Sequence, residues 1–321
     1  MYLQSAFELT LVIDTDRFCK LFDRVYGVLE CIDENKYADY ALASKGITVI
    51  YQDSRYKKKI KLILKPCRLL NTDEPNPKKL IRILEKRVSG YFNNKYQLND
   101  FTLTGLALTT DIDVQSRAKV AAYIKVLRRI GKVKGFSPPG DGWPGNDIGL
   151  YLDGNSNGIK FLLYDLEGLF REHTRKSGSS KAIAKGCEGI LRAEVRLMKS
   201  KAIRAYTDKS APSDQITDLS DNMQKIFLDT FMKVVPFGNF YKKNKAVELI
   251  RGNVVDVKTR RRMLRLVDLV PEKKSLLLAQ KALSYRRVDE VMDAFSSIEL
   301  APITISKRHD ITKLDNLYKY M

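Results

Sequence analysis

Two short segments of the sequence carry the residue types that could cleave a phosphodiester bond. Tyr164 lies near the end of an apolar run, and Glu194 lies between Arg192 and Arg196 in a run of alternating polarity. A tyrosine hydroxyl can attack phosphorus and hold the product covalently, and arginines can stabilise the charge on the phosphate. If the two runs are adjacent strands, they can form one site for cutting and rejoining a nucleic acid. The alternative for Tyr164 is core packing, because a phenol titrates at about pH 10 and needs a neighbouring metal or base to attack at neutral pH.

Two further carboxylates precede these segments. Asp111 and Asp113 close an apolar run, and residues two apart on a strand point to the same side of a sheet. Carboxylates on one side can share a hard cation, so Mg²⁺ or Mn²⁺ is a predicted cofactor. The candidate metal ligands are Asp111, Asp113 and Glu194. Arg192 and Arg196 could hold a phosphate beside the metal, or could simply neutralise the acids in salt bridges.

The segments that must position these residues have the pattern of an antiparallel sheet. Residues 149–153 and 159–165 flank a Gly-Asn-Ser-Asn-Gly turn, which predicts a hairpin. Residues 191–197 alternate between apolar and polar side chains, as a half-buried strand does. The chain runs twice through the order strand, helix, hairpin, helix. We therefore predict an α+β fold with an antiparallel-rich central sheet flanked by helices.

A length of 321 residues favours two domains. The stretch 210–221 is rich in Ser, Asp and Pro and marks a boundary. The sequence thus predicts the sheet domain over residues 1–210 and a mainly helical domain over residues 211–321. In the first of these, Trp143 lies in a loop rich in Pro and Gly, where it could stack on a base or fill its own loop.

The composition points to a polyanionic partner. The chain has 57 Lys+Arg against 38 Asp+Glu, a net charge of +19 and a pI of about 9.6, a bias that a basic ribosomal or membrane-surface protein would also show. Basic residues of the C-terminal helical region are predicted to contact DNA phosphates: Lys258, Arg260, Arg261, Arg262, Arg265, Arg286 and Arg287. No apolar run approaches the roughly 20 residues of a membrane span, and the N-terminus lacks the pattern of a signal peptide. A cytoplasmic protein without a membrane partner is therefore expected.

Several segments, taken in order, resemble those of rolling-circle replication initiators, above all the gene II replication proteins of filamentous phages and related plasmid initiators. In that family an apolar strand ends in the nicking tyrosine, as Phe-Leu-Leu-Tyr does at 161–164. A later strand carries Arg-x-Glu-x-Arg, as Leu-Arg-Ala-Glu-Val-Arg-Leu does at 191–197. Residues 103–111 resemble the acidic strand of the family, and residues 47–65 resemble part of its N-terminal half. The likeness covers most of residues 45–210.

Three positions depart from the family pattern. Gly105 and Ala107 stand where members usually carry Arg and Asp, and Leu166 stands where a Lys is common.

The resemblance implies a nuclease domain of the HUH-like or RRM-like type that nicks and rejoins DNA at a replication origin. It implies Tyr164 as the nucleophile, with Asp111 and Glu194 as ligands of Mg²⁺ or Mn²⁺. The product would be a 5′-phosphotyrosine and a free 3′-OH that primes synthesis. Single- and double-stranded origin DNA would be the substrate in a bacterial host, with the host helicase and polymerase as partners.

Two other functions fit the same residues. A metal-dependent primase or polymerase also uses an apolar strand that ends in Asp-x-Asp, and it would incorporate nucleotides without needing Tyr164. A non-catalytic DNA-binding regulator needs only the basic C-terminal helices, and it would bind DNA without cutting it and without a metal.

Overall fold

The computed structural model of the chain describes residues 1–55, 57–140, 148–154, 157–177 and 186–321, and the side chains of all of these except 173–177. Trp143 and the centre of the Gly-Asn-Ser-Asn-Gly turn lie outside the described residues.

In the described part of the chain, nine strands form one large antiparallel sheet. They are β1 (Gln4–Ile13), β2 (Glu30–Asp33), β3 (Lys36–Asp39), β4 (Ile47–Asp53), β5 (Lys58–Leu64), β6 (Thr102–Asp113), β7 (Gly149–Asp153), β8 (Ile159–Asp165) and β9 (Ile190–Leu197). Their order across the sheet is β2-β3-β4-β5-β1-β6-β9-β8-β7, with antiparallel pairing throughout. The predicted α+β class with an antiparallel-rich sheet is confirmed.

The sheet consists of two similar halves around its central pair of strands. Outwards from β1 the order is β5, β4, β3, and outwards from β6 it is β9, β8, β7. In each half the central strand is followed by a helix and then by a hairpin. The repeated order of elements that the sequence predicts is therefore present, and the second half contains the three segments of chemical interest.

Helices fill the intervals between strands and make up most of the C-terminal third. Their bounds are α1 (Thr15–Val25), α2 (Pro66–Leu70), α3 (Pro77–Tyr91), α4 (Arg117–Leu127), α5 (Leu166–Ser177), α6 (Ser200–Arg204), α7 (Pro212–Asp221), α8 (Met223–Val234), α9 (Lys243–Asn253), α10 (Val257–Lys273), α11 (Leu276–Ala282) and α12 (Val288–Ser297). Short polar side chains accept a hydrogen bond from the first turn of five of them: Asp14, Asn76, Ser116, Asp256 and Ser275. A two-stranded pair, β10 (Phe240–Tyr241) and β11 (Lys313–Leu314), lies among the C-terminal helices. None of the helices in the described ranges is both long enough and apolar enough to cross a membrane.

The main hydrophobic core lies on one side of the sheet, which we call the inner face. On β9, Leu191, Ala193, Val195 and Leu197 all point into this core, as the alternation of the sequence predicts. The helices α1, α3, α4 and α8 contribute buried residues to it. The opposite, outer face of the sheet therefore presents the polar residues of the same strands, including Glu194.

The core continues across residue 210, where the sequence predicts a domain boundary. That position lies between α6 and α7. The ring of Phe161 on β8 contacts Phe231 on α8 with centroids 5.9 Å apart, and the Tyr123 hydroxyl of α4 donates to the Asp315 carbonyl at 2.7 Å. Residues before and after the boundary thus share one core, and the division into two domains stays a prediction.

Candidate functional site

Tyr164 lies on the outer face of β8, beneath helix α5. Phe161 on the same strand faces the main core, whereas Tyr164 belongs to a small separate cluster with Leu162 and Leu166. Leu169 and Phe170 of α5 pack against this cluster. Because α5 covers it, Tyr164 is only 7% exposed.

The strand register places an arginine directly beside the tyrosine. Tyr164 on β8 is opposite Arg192 on β9, and Arg192 is opposite Asp111 on β6. The Arg192 guanidinium donates from Nε and Nη2 to the two oxygens of Asp111 at 2.6 and 2.8 Å. A bidentate pair of this kind fixes the plane of the guanidinium. Three strands thus contribute one row of side chains, Tyr164, Arg192 and Asp111.

A second row lies one pleat away on the same face. Leu162 is opposite Glu194, which is opposite Thr109. The Glu194 carboxylate is nearly buried and accepts two hydrogen bonds from Arg196, at 2.7 and 2.9 Å. Glu194 and Arg196 are two residues apart on β9 and therefore share a face. The two arginines that flank Glu194 are both held in place by carboxylates.

Electrostatics at the tyrosine act in opposite directions. Burial raises the pKa of the Tyr164 hydroxyl above its ordinary value, and the nearby charge of Glu194 raises it further. The positive charges of Arg192 and Arg196 lower the pKa of this hydroxyl. Because burial is the largest of these effects, the resting hydroxyl is protonated at neutral pH.

A second tyrosine stacks on the first. The rings of Tyr151 on β7 and Tyr164 are nearly parallel, with centroids 6.4 Å apart. Burial, together with the neighbouring Tyr164, raises the pKa of Tyr151 to about 12. Tyr151 is therefore a second tyrosine in a similar environment, and its substitution is a suitable control for substitution of Tyr164.

The three predicted metal ligands do not converge on one point. Asp111 and Glu194 lie in different rows, and each gives both carboxylate oxygens to an arginine. Asp113 is exposed at the end of β6, where it accepts a hydrogen bond from the Gln115 backbone at 2.7 Å. Within the described ranges, no group of three or more His, Cys, Asp or Glu residues has the geometry to hold a metal ion. As arranged, Asp111 and Glu194 are salt-bridge partners rather than ready metal ligands, and a bound Mg²⁺ or Mn²⁺ stays a prediction.

The predicted DNA-binding residues of α10 have different surroundings. Lys258, Arg261 and Arg265 are exposed along the helix. The Arg260 guanidinium donates to the Val254 carbonyl at 3.4 Å. Arg262 lies over the ring of Tyr285, 3.6 Å from its centroid. The exposed three are available to a phosphate backbone, whereas Arg260 and Arg262 also contribute to local packing.

The two predicted basic residues before α12 also differ. Arg286 is exposed. Arg287 is exposed as well, but its guanidinium forms a salt bridge of 2.8 Å with Glu290 in the first turn of the helix.

Sequence reasoning missed the acid that holds α5 over the tyrosine. Glu167, in the first turn of α5, has a side chain only 4% exposed. It accepts hydrogen bonds from Arg117 of α4 at 2.5 and 2.9 Å, and it pairs with Arg171 at 2.6 Å. The sequence offers no local signal for this role, because the partner Arg117 is 50 positions away in the chain.

The Glu167 pairing gives the protein a testable pH dependence. Hydrogen bonding to Arg117 lowers the pKa of Glu167 below its ordinary value. The stabilisation is therefore complete above about pH 4.3, the ordinary value for Glu, and is lost as the pH falls through the lower pKa of the folded state. We expect Glu167→Gln to reduce the melting temperature at pH 7, and the difference from wild type to shrink as the pH falls below about 4.3. A difference that stays constant over that range would show that the Glu167 charge does not stabilise the fold.

Comparison with known proteins adds no assignment to this geometry. A scan against models of protein families finds no match to the chain, and a search of curated proteins finds no similar sequence.

Proposed function

We propose that the chain is a site-specific DNA nicking and joining protein that initiates rolling-circle replication of a phage or plasmid, with Tyr164 as its nucleophile. The observation that carries the proposal is the position of Tyr164, which is opposite Arg192 in the register of β8 and β9 and within the electrostatic influence of Arg196 and Glu194. The large antiparallel sheet supports a nuclease domain of the HUH-like or RRM-like type. The proposal places the protein in the cytoplasm of a bacterial host, beside the host helicase and polymerase.

The proposed reaction is a transesterification. The Tyr164 oxygen forms a bond to the scissile phosphorus, the bond from phosphorus to the 3′ oxygen breaks, and the released 3′ oxygen takes up a proton. The product is a 5′-phosphotyrosine, which conserves the phosphodiester energy for rejoining. Arg192 and Arg196 stabilise the charge on the non-bridging phosphate oxygens. Helix α5 covers Tyr164 at rest, so it must shift before a phosphate can reach the hydroxyl.

Binding of a phosphate would rearrange the salt bridges of the second row. When Arg196 turns to the phosphate, the Glu194 carboxylate loses its partner. The freed carboxylate can then accept the phenol proton, and it is also the group that would take part in holding a divalent cation. The chemistry that such a cation supplies is polarisation of the scissile phosphate.

The direct test is incubation of the full chain with supercoiled DNA of its own replicon, with Mg²⁺ or Mn²⁺ and with EDTA. The expected product is a nicked circle that carries covalently attached protein and forms only with metal. Nucleotide incorporation without nicking would instead support the primase alternative. Binding of the protein to DNA that persists in EDTA, without any cleavage in the presence of metal, would reject the proposal.

A non-catalytic DNA-binding role is the second candidate, and one observation favours it. Both carboxylates of the site are fully engaged by arginines, and Tyr164 is buried with a raised pKa. Those are the properties of a structural cluster. The covalent adduct in the assay above separates the two functions.

Removal of either carboxylate provides a sharper test. We expect Glu194→Gln and Asp111→Asn each to suppress cleavage, with partial recovery in Mn²⁺ for one of them, because the amide keeps the shape but loses the charge that holds an arginine or a hard cation. Loss of the charge opposite the partly buried Arg196 should also cost about 1–3 kcal/mol of folding free energy.

The matched control is Glu8→Gln. Glu8 is also an ion-paired carboxylate on the sheet, 2.8 Å from Lys61, but it is half-buried and lies in the first half of the sheet. This variant should cleave as wild type does. If all three variants cleave normally with the same metal dependence, Asp111 and Glu194 are structural.

A further inference from the structure

A cleft with a strongly basic lining lies at the end of α4, away from the candidate site. It consists of two adjacent cavities of about 400 and 470 Å³ between α4, the end of α10 and the turn at residues 306–310. Both cavities are lined by Lys125 and Arg129. Arg128 and Lys274 add to the lining of one, and Arg308 adds to the lining of the other. We call Lys125, Arg129, Lys274 and Arg308, together with the space between them, the basic cleft.

Within the described ranges, the four cations of the basic cleft outnumber the acids that line it. In the part of the chain that the structure describes, Lys125, Arg129, Lys274 and Arg308 form no salt bridge. Asp310 is the single acid among the described residues that line the two cavities. Several uncompensated cations around a concave surface concentrate a positive potential there.

Arg129 is the most buried of the four cations. It is half-buried, and this burial lowers the pKa of its guanidinium. One donor of the guanidinium is used by the Thr304 carbonyl, at 2.7 Å, and a guanidinium has five. A desolvated cation is costly unless an anion compensates it. The arginines of the candidate site show the usual solution, because Arg192 and Arg196 each hold a carboxylate.

The shape and lining of the cleft indicate the class of anion. Two cavities that share Arg129 can each accept one phosphate of a continuous strand, and the exposed Pro271 offers an apolar surface for a sugar. The described lining contains no Phe, Tyr or Trp on which an unpaired base could stack. Contacts to phosphates without base stacking are typical of duplex DNA.

We propose that the basic cleft binds the sugar-phosphate backbone of duplex DNA. The cleft lies at the opposite end of α4 from Arg117, which anchors α5 over Tyr164. An 11-residue helix is about 16 Å long, so the cleft would hold duplex that is separated from the nick by several base pairs. The inference shares the DNA partner with the proposed function, and it does not depend on any chemistry at Tyr164.

The test compares two full-length triple variants of equal charge by fluorescence anisotropy. The cleft variant is Lys125→Glu, Lys274→Glu, Arg308→Glu, and the control is Lys20→Glu, Lys95→Glu, Lys225→Glu. All six side chains are exposed and lie outside the predicted DNA-binding residues of α10, so both proteins should fold. The probe is a labelled 30-base-pair duplex titrated at several salt concentrations.

We expect the cleft variant to bind the duplex at least about tenfold more weakly than the control at 100 mM salt. Its log–log salt slope should be shallower by about 2 to 3, since each phosphate contact contributes about 0.9. Equal affinities and equal slopes for the two variants would overturn the proposal, and so would a wild-type chain that does not bind duplex DNA. If the cleft variant loses as much affinity for a labelled single strand as for the duplex, the assignment of the cleft to duplex DNA is wrong.

Arg129 is tested separately because it also contacts the fold. Arg129→Lys keeps the charge and Arg129→Gln removes it, so the first should retain more of the duplex affinity than the second at equal melting temperature. A second assay, cleavage of a short single-stranded oligonucleotide, distinguishes failure of the cleft proposal from failure of the proposed function. The cleft variant should cleave the oligonucleotide as wild type does, whereas a wild-type chain that binds duplex through the cleft but never cleaves would reject only the role of Tyr164.

Discussion

A Tyr164→Phe chain is expected to form no covalent adduct with DNA, with a loss of at least about a thousandfold in nicking, the scale that follows removal of an essential nucleophile. Phenylalanine keeps the ring that packs with Leu162 beneath α5. Only the hydroxyl is lost, and the loss of one hydrogen-bonding group costs about 1 kcal/mol. The melting temperature should therefore stay close to that of wild type. The affinity for duplex DNA should remain within a few-fold of the wild-type value.

Tyr151→Phe is the matched control for this variant. Tyr151 stacks on Tyr164 and is likewise influenced by Arg196 and Glu194, so the substitution removes one hydroxyl from the same pair of rings. It should leave cleavage unchanged. If the adduct persists in Tyr164→Phe and disappears in Tyr151→Phe, Tyr151 is the nucleophile. If neither substitution removes the adduct, Tyr206→Phe is the next variant to make.

The largest effect on stability is expected from Phe231→Ala. Phe231 on α8 is fully buried, and its ring contacts those of Phe161, Phe227 and Tyr318. Truncation of a buried phenylalanine costs about 3 to 5 kcal/mol, which is a large part of the stability of an ordinary domain. Urea unfolding followed by far-UV circular dichroism should show the midpoint shift to lower urea.

The control is Phe237→Ala, because Phe237 contacts the same Tyr318 ring but is 41% exposed. Its effect should stay below about 1 kcal/mol, the range of half-exposed positions. The shape of the Phe231→Ala transition also tests the boundary near residue 210. A single transition would show that the sheet and the C-terminal helices unfold together. Two transitions, of which only the one from residues 211–321 shifts to lower urea, would support separate domains.

The strands of the candidate site were predictable because their sequences alternate or are uniformly apolar. Residues 149–153, 159–165 and 191–197 match β7, β8 and β9 closely, and residues 103–113 match β6. The hairpin β2–β3 was missed. Its first strand is exposed along its whole length and therefore lacks an alternating pattern.

The partners of each side chain could not be predicted, since they depend on register and on residues far apart in the chain. Nothing in the local sequence indicates that Asp111 is opposite Arg192 rather than Glu194. A register shift of two residues between β6 and β9 would place Asp111 opposite Glu194 instead. The same holds for the basic cleft. Lys125 and Arg308 are 183 positions apart in sequence and meet only because α4 packs beside the C-terminal segment.

The two halves of the sheet give a single chain the arrangement of a twofold dimer. In a true homodimer both copies must carry the same residues, so any reactive group occurs twice. A fused pair is free of that constraint, and here β4 and β5 occupy the places that β8 and β9 occupy in the other half. Where β8 and β9 pair Tyr164 with Arg192, no paired position of β4 and β5 combines a tyrosine with an arginine. One half of the sheet can therefore carry the candidate site while the other half completes the sheet, and under the proposed function each chain would hold one nucleophile of this kind rather than two.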